Sequence, residues 1–168
     1  MAVLKVIHSG NSPAADKFDT PKYHDATAIS DVIRYCCQPS KIPHRCIGGF
    51  GLNLTYAAEQ MEGVIRAYGK TEGVHLRHMV LSFEAGERVS LYFANQIAHQ
   101  VAWYYGSAYQ ILYAIHEDTP HLHIHFVMNT TSYINGKKYA QKKEDYFRFL
   151  QYLAEILKEY GLNLNVAS

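Results

Sequence analysis

A chain of 168 residues can bury one real core, and its make-up, 48% hydrophobic and 18% charged, is that of an ordinary globular domain, which excludes a disordered or low-complexity protein. A net charge of only +1 excludes a globally positive field, so a nucleic-acid partner must be held by a local patch. No run approaches membrane-spanning length, and the start, MAVLKVIHSG, lacks a cleavage-like small-residue site, so it reads as a first strand rather than a signal peptide.

That strand is expected from Leu4 to His8, followed by a polar, turn-rich segment, NSPAADKFDTPKYHD. Asp25 is placed to cap a helix running to Cys37, whose apolar face is Ile29, Val32, Ile33 and Cys36. Pro39 and Pro43 stop it. IGGFGLN reads as a turn or loop, and Thr55 then caps a second helix to Tyr68 that GKTEG ends. HMVLSF is a strand, and Ser90 to Tyr105 a third helix. YQILYAIH and HLHIHFVMN are two strands joined by EDTP, hence an antiparallel hairpin. SYINGKKY predicts a smaller hairpin, because Asn135-Gly136 favours a type I′ turn. From Lys143 to Tyr160 an amphipathic helix carries Phe147, Leu150, Leu153, Ile156 and Leu157, and Gly161 closes it. Strands that come in runs predict an α+β domain over residues 1–168, a central antiparallel sheet with helices packed on one face.

Cys36, Cys37 and Cys46 are odd in number and close together, which argues against a disulfide framework and for a reducing cytoplasm. Cys37, His44 and Cys46 lack the fourth ligand of a closed zinc site and read as buried thiols. GKT at 69–71 follows a helix instead of linking strand to helix, so it is no phosphate loop.

The segment IHEDTPHLHIHFVMN carries the chemistry. Side chains alternate along a strand, so His121, His123 and His125 share one face while Leu122, Ile124, Phe126 and Met128 share the other. With EDTP as a four-residue loop, His116 stands opposite His121 and points to the same side. Converging imidazoles favour a divalent metal over an exposed polar face that merely happens to use histidine. Glu117 and Asp118 are placed to orient a ligand. Spacing alone does not separate a ligand set with His116 from one with His121.

His116, Asp118, His123 and His125, with Asn129 after them, form a string that resembles motif III of the HUH endonucleases, specifically the conjugative relaxases of the P-type mobilisation group found in Gram-positive mobile elements. HMVLSFEAGE is similar to the relaxase motif II strand, with Ser82 in the serine position, and DVIRYCCQPSK to motif I, in which Tyr35 takes the place of the nucleophile. IGGFGLN and SYINGKKY also resemble relaxase segments, so the likeness spans most of the chain in order. Cys36 and Cys37 depart from the aliphatic residues usual after that tyrosine.

The resemblance implies the relaxase fold, a divalent ion (Mn, Mg or Zn, with Mn favoured) on His116, His123 and His125, and His121 as a neighbour. It implies that Tyr35 attacks a scissile phosphate, that Ser82, Asp118, His121 and Asn129 orient ligands or contact DNA, and that single-stranded or hairpin DNA at an origin of transfer is the substrate. Accessory relaxosome proteins are implied as partners, and the chain as the nuclease portion of a longer protein. Lys137, Lys138, Lys142, Lys143 and Arg148, interleaved with Tyr139 and Tyr146, form the densest basic stretch and suit single-stranded DNA. Arg34, Lys41 and Arg45 add a weaker phosphate track near Tyr35.

Tyr23, on the polar segment beside His24, is a rival nucleophile. A rolling-circle initiator or transposase of the HUH type would carry its tyrosine after the histidines, at Tyr146, Tyr152 or Tyr160. A non-enzymatic hairpin-binding module with a residual metal site, and a metal-dependent hydrolase of small substrates, are the readings from other classes.

Overall fold

The computed structural model describes residues 1–7, 22–42 and 46–166. In chain order these form β1 (Ala2–Ile7), α1 (Ala28–Cys36), β2 (Ile47–Phe50), α2 (Ala57–Ala67), β3 (Leu76–Ser82), α3 (Leu91–Gly106), β4 (Ile111–His116), β5 (His123–Asn129), α4 (Lys143–Glu159) and β6 (Leu164–Val166), with 3-10 turns at Lys22–His24 and Leu54–Tyr56. The strands make one six-stranded sheet in the order β2-β4-β5-β3-β1-β6. Every neighbouring pair is antiparallel except β1 with β6. No helix among the described residues is long and apolar enough to cross a membrane.

The antiparallel core and the α+β class follow the sequence expectation. Alternation sorts the central strands into two faces. Ile111, Tyr113 and Ile115 of β4 join Ile124, Phe126 and Met128 of β5 and Met79 and Leu81 of β3 in the main core, roofed by α3 and α4. A fully buried side chain such as Phe126 or Leu81 contributes about 2 kcal/mol. The opposite face has a second layer beyond the expected one: α1 and α2 pack Ile29, Val32, Cys36, Met61 and Ile65 over Leu76, Leu112, Ala114 and Val127. This is the face that carries the histidines, so α1 docks beside them.

Local signals hold for α3, where the Ser90 side chain accepts from the Phe93 N–H, and for α4, whose end passes into Gly161 at φ 71°. Elsewhere the structure departs from expectation. IGGF is not a loop but the edge strand β2 against β4. Its glycines are there for space: a Cβ on Gly48 would collide with the Tyr113 ring across the pair. Asn53, not Thr55, caps the turn into α2, accepting from the Thr55 N–H. SYINGKKY makes a single bridge, Thr131 with Lys138, and its turn closes by the Gly136 N–H donating to Ser132 C=O, wider than a two-residue type I′ hairpin. At α1, Thr27, two residues after the expected Asp25, occupies the cap position without a side-chain bond, and Asp25 contributes only its carbonyl, which accepts from Ala28 N–H. His8, Pro43 and most of the segment before Lys22 lie outside the described residues.

Candidate metal centre

The register of the hairpin sets the site. His116, the last residue of β4, pairs with His123, the first of β5, and Ala114 pairs with His125. The expected partner of His116, His121, lies in the connection instead, which runs through residues 117–122. Pro120 has no N–H to offer a ladder, and the Leu122 C=O accepts from Phe83 N–H, so regular β4–β5 pairing starts only at His123. His116, His123 and His125 nonetheless share one face, and one ring nitrogen from each lies within 4.8 Å of the others.

Each ring is held by its second nitrogen. The Nε2–H of His116 donates to the Cys36 carbonyl at 2.6 Å, and the Nδ1–H of His123 donates to the His121 carbonyl at 2.8 Å. His125 Nδ1 lies 2.8 Å from His78 Nε2, and His78 Nδ1 lies 3.2 Å from the Tyr23 hydroxyl. One self-consistent tautomer, the one that frees Nε2 of His125, has His125 donating from Nδ1 to His78 and His78 donating from Nδ1 to Tyr23. Three lone pairs are then left facing one another: His116 Nδ1, His123 Nε2 and His125 Nε2.

Two of these atoms, His116 Nδ1 and His125 Nε2, are buried with no hydrogen-bond partner among the described residues. A buried nitrogen left unpaired costs about 1–3 kcal/mol, and a folded chain keeps two of them side by side only where something else satisfies them. Protonation is not that something. Burial, above all, and then the neighbouring imidazoles and Lys41 push His125 down to about 2. Burial likewise lowers His116, against the Cys36 carbonyl that raises it. Neutral imidazoles with preset tautomers and an unsatisfied lone pair fit a divalent cation.

Tyr35, on the last turn of α1, stands at the mouth of this cluster, its ring 6.2 Å from that of His116 and 5.9 Å from that of His125. It is 46% exposed. The Lys41 ammonium sits over its ring, 3.8 Å from the centroid, and 4.0 Å from Asp118 Oδ2. Asp118 Oδ1 in turn lies 3.8 Å from His123 Nε2. Ser82 is the β3 residue opposite His123, on the same side of the sheet.

Other expected site residues are not brought here. Asn129 is fully buried at the far end of β5, where its amide donates to Met61 C=O and Gln110 Oε1 and its oxygen accepts from Thr131 N–H. The exposed His121 ring turns to the Phe83 carbonyl at 3.3 Å, so this residue serves the cluster through its backbone. Lys137, Lys142, Lys143 and Arg148 are exposed beyond the Asn129 end of β5 and along the start of α4, in the layer on the other face of the sheet. Lys138 points inward to the Val74 carbonyl and Thr130, and burial lowers its pKa. Arg34 is exposed beside Asp31, while His44 and Arg45 fall outside the described residues.

The rival tyrosines are engaged elsewhere. Tyr23 is buried behind His78, and burial pushes its hydroxyl up to about 12. Tyr152 donates to Gln100 C=O, Tyr160 reaches the same glutamine, and Tyr146 lies under Arg77, all on the α3–α4 side. Sequence reasoning missed His78. It shares the strand face of Ser82, four residues on, and that parity was the available signal.

Residues 35–162 match the family model described as Relaxase: MobA/VirD2-like, nuclease domain. Among curated proteins the chain is 28% identical over 116 residues to "Protein rlx" of Staphylococcus aureus, covering 69% of this chain and 36% of that protein. A further "Protein rlx" of Staphylococcus aureus is 28% identical over 112 residues, 67% of this chain and 34% of its own length. The chain thus spans about a third of the length of the relatives it matches.

Proposed function

The chain belongs to the MobA/VirD2-like relaxase nuclease-domain family, and from that premise we propose that it nicks and rejoins one DNA strand at an origin of transfer through Tyr35. The observation that carries the reading is the pair of orphaned nitrogens, His116 Nδ1 and His125 Nε2, beside His123 and beneath an exposed tyrosine. His116, His123 and His125 would hold a divalent cation, for which three imidazoles suit Mn or Zn better than Mg. Bound there, the ion would polarise the scissile phosphate and offset the charge that grows on it.

The protein's own groups do the rest. Tyr35 Oη forms the new bond to phosphorus, the bond from phosphorus to the 3′ oxygen breaks, and the phenol's proton is lost as that oxygen gains one. A tyrosine is ordinarily protonated at neutral pH, with a pKa of about 10, so its phenolate needs a cation nearby. The Lys41 ammonium over the ring supplies one, and Asp118 holds that lysine from the other side. The 5′-phosphotyrosyl ester keeps the energy of the cut bond, so attack by a 3′ hydroxyl reverses the step. Single-stranded or hairpin DNA would be the substrate, as membership of the relaxase family suggests. Accessory relaxosome proteins would be its partners at the origin of transfer.

The test is a denaturant-resistant adduct. Single-stranded DNA covering the transfer origin of the source genome, with Mn²⁺, is expected to give a covalent complex whose modified peptide contains Tyr35, and Tyr35→Phe is expected to abolish it. An adduct on Tyr146, Tyr152 or Tyr160, or one that persists in Tyr35→Phe, would overturn the assignment.

A further inference from the structure

Behind the tripod lies a second set of donors that shares only His125 with it. Cys36 Sγ is 3.9 Å from His78 Nε2, which is 2.8 Å from His125 Nδ1. These atoms lie within 4.8 Å of one another, and all three residues are buried. With metal–sulfur and metal–nitrogen bonds of about 2.3 and about 2.05 Å, a tetrahedral ion needs donors about 3.6 Å (S to N) and about 3.3 Å (N to N) apart. The two separations depart from those values by a few tenths of an ångström in opposite directions, and the Cys36–His125 edge lies within 4.8 Å, so side-chain adjustments without a change of fold would bring the three donors onto one ion.

We propose that Cys36, His78 and His125 form a thiolate–imidazole site for a soft or borderline cation such as Zn²⁺ or Cd²⁺, and that this ion competes with the tripod's ion for His125. A sulfur and two imidazoles with no carboxylate select such ions and reject Mg²⁺. On binding, the Cys36 S–H bond breaks, sulfur donates its pair to the ion, and the proton goes to solvent; nothing is oxidised or reduced.

The competition follows from proton count. A neutral imidazole has one lone pair and one N–H. To serve the tripod through Nε2, His125 keeps its proton on Nδ1 and donates it to His78. To serve the thiolate site through Nδ1, it must carry that proton on Nε2, the atom the tripod needs. The same residue therefore answers one ion at a time, and a thiophilic ion at Cys36 switches the tripod off.

The thiolate site stands on its own geometry, whereas the competition rests on the proposed tripod, and the experiment separates the two. The full chain is titrated with Cd²⁺ while the thiolate-to-cadmium charge-transfer band is followed. The band is expected in the parent, in Cys37→Ser and in Cys46→Ser, and lost in Cys36→Ser. X-ray absorption of the unmutated protein with one equivalent of Zn²⁺ is expected to find a single sulfur neighbour at about 2.3 Å, which needs no variant to fold. A band that survives in Cys36→Ser, or a zinc shell without sulfur, would overturn the site. Mn²⁺ affinity by paramagnetic resonance is then expected to weaken about tenfold when one equivalent of Cd²⁺ is loaded, and to weaken less in Cys36→Ser, where only the tripod's imidazoles are left to hold Cd²⁺. Unchanged Mn²⁺ affinity in the loaded parent overturns the competition. No Mn²⁺ binding at all, with the band intact, supports the thiolate site and overturns the tripod.

Discussion

Acid should destabilise this protein through His125 in particular, and the size of the effect can be worked out. In the unfolded chain its imidazole titrates near the ordinary 6.5, whereas in the fold burial above all, and then the neighbouring imidazoles and Lys41, hold it down to about 2. The folded value lies below the unfolded one, so the unfolded chain takes up the proton first. The stability that follows from a neutral His125 is complete above pH 6.5 and is lost as pH falls from there toward 2. Linkage gives a loss of about 2 kcal/mol between about pH 7.5 and about pH 5.0 from this one group. His116, shifted in the same direction, adds to it. The assay is urea denaturation with chelator present, at both pH values, for the parent and for His125→Gln, which cannot titrate. Carboxylates and the remaining histidines contribute nearly equally to both proteins and cancel in the double difference. The parent is expected to lose about 2 kcal/mol more than the variant over that interval. Equal losses would mean that His125 is not held as a buried neutral imidazole, and the argument from its unpaired Nε2 would fall with it.

Removing the acceptor that fixes the His125 tautomer, by His78→Ala, is expected to weaken Mn²⁺ binding about 10- to 100-fold, read by paramagnetic resonance; unchanged affinity would show that His78 does not orient the ring. Asn129→Ala strands the Met61 carbonyl, the Gln110 side chain and the Thr131 N–H, so a loss of about 3 kcal/mol in urea denaturation is expected with Mn²⁺ affinity unchanged. A fall in ion affinity would instead tie Asn129 to the cluster. Replacing Lys142, Lys143 and Arg148 together by Gln should make the salt dependence of single-stranded DNA binding shallower by about 2 in log–log slope if each side chain meets a phosphate, while cleavage at saturating DNA stays the same. An unaltered slope would remove the α4 start from the DNA path, leaving the Lys41 side of the site to hold the backbone.

Much of this site is visible in the sequence because a strand has period two. His123 and His125 must share a face wherever the strand begins, and the apolar partners Ile124 and Phe126 say which face is core. Helix periodicity likewise puts Ile29, Val32 and Cys36 inward, which leaves Tyr35 at the flank where its ring borders the cluster. Harder to read are features that depend on what another segment offers. The edge strand β2 has the glycine content of a turn, and only the Tyr113 ring lying across Gly48 explains why a strand there needs glycine. No spacing rule gives the Cys36 carbonyl that holds His116, since that contact joins residues 80 apart through the docking of a helix end.

The error over the hairpin connection shows why parity survives where register does not. Taking EDTP as the whole loop pairs His116 with His121, whereas the strand partner is His123, a slip of two residues. A slip of one would have turned every histidine into the core. A slip of two keeps each side chain on its face and changes only which residue stands opposite. The convergence of imidazoles was therefore robust to the mistake, while the identity of the third ligand was not. Lone pairs support the set with His116: His121 spends its ring on the Phe83 carbonyl and its own carbonyl on His123, so in the proposed centre it would orient a ligand, whereas His116 leaves Nδ1 bare beside His125 Nε2. If that reasoning is right, His121→Ala, which keeps the carbonyl, should leave Mn²⁺ affinity within about threefold, and His116→Ala should reduce it by more than tenfold, because only the second removes a donor. Equal losses in the two variants would return His121 to the ligand set.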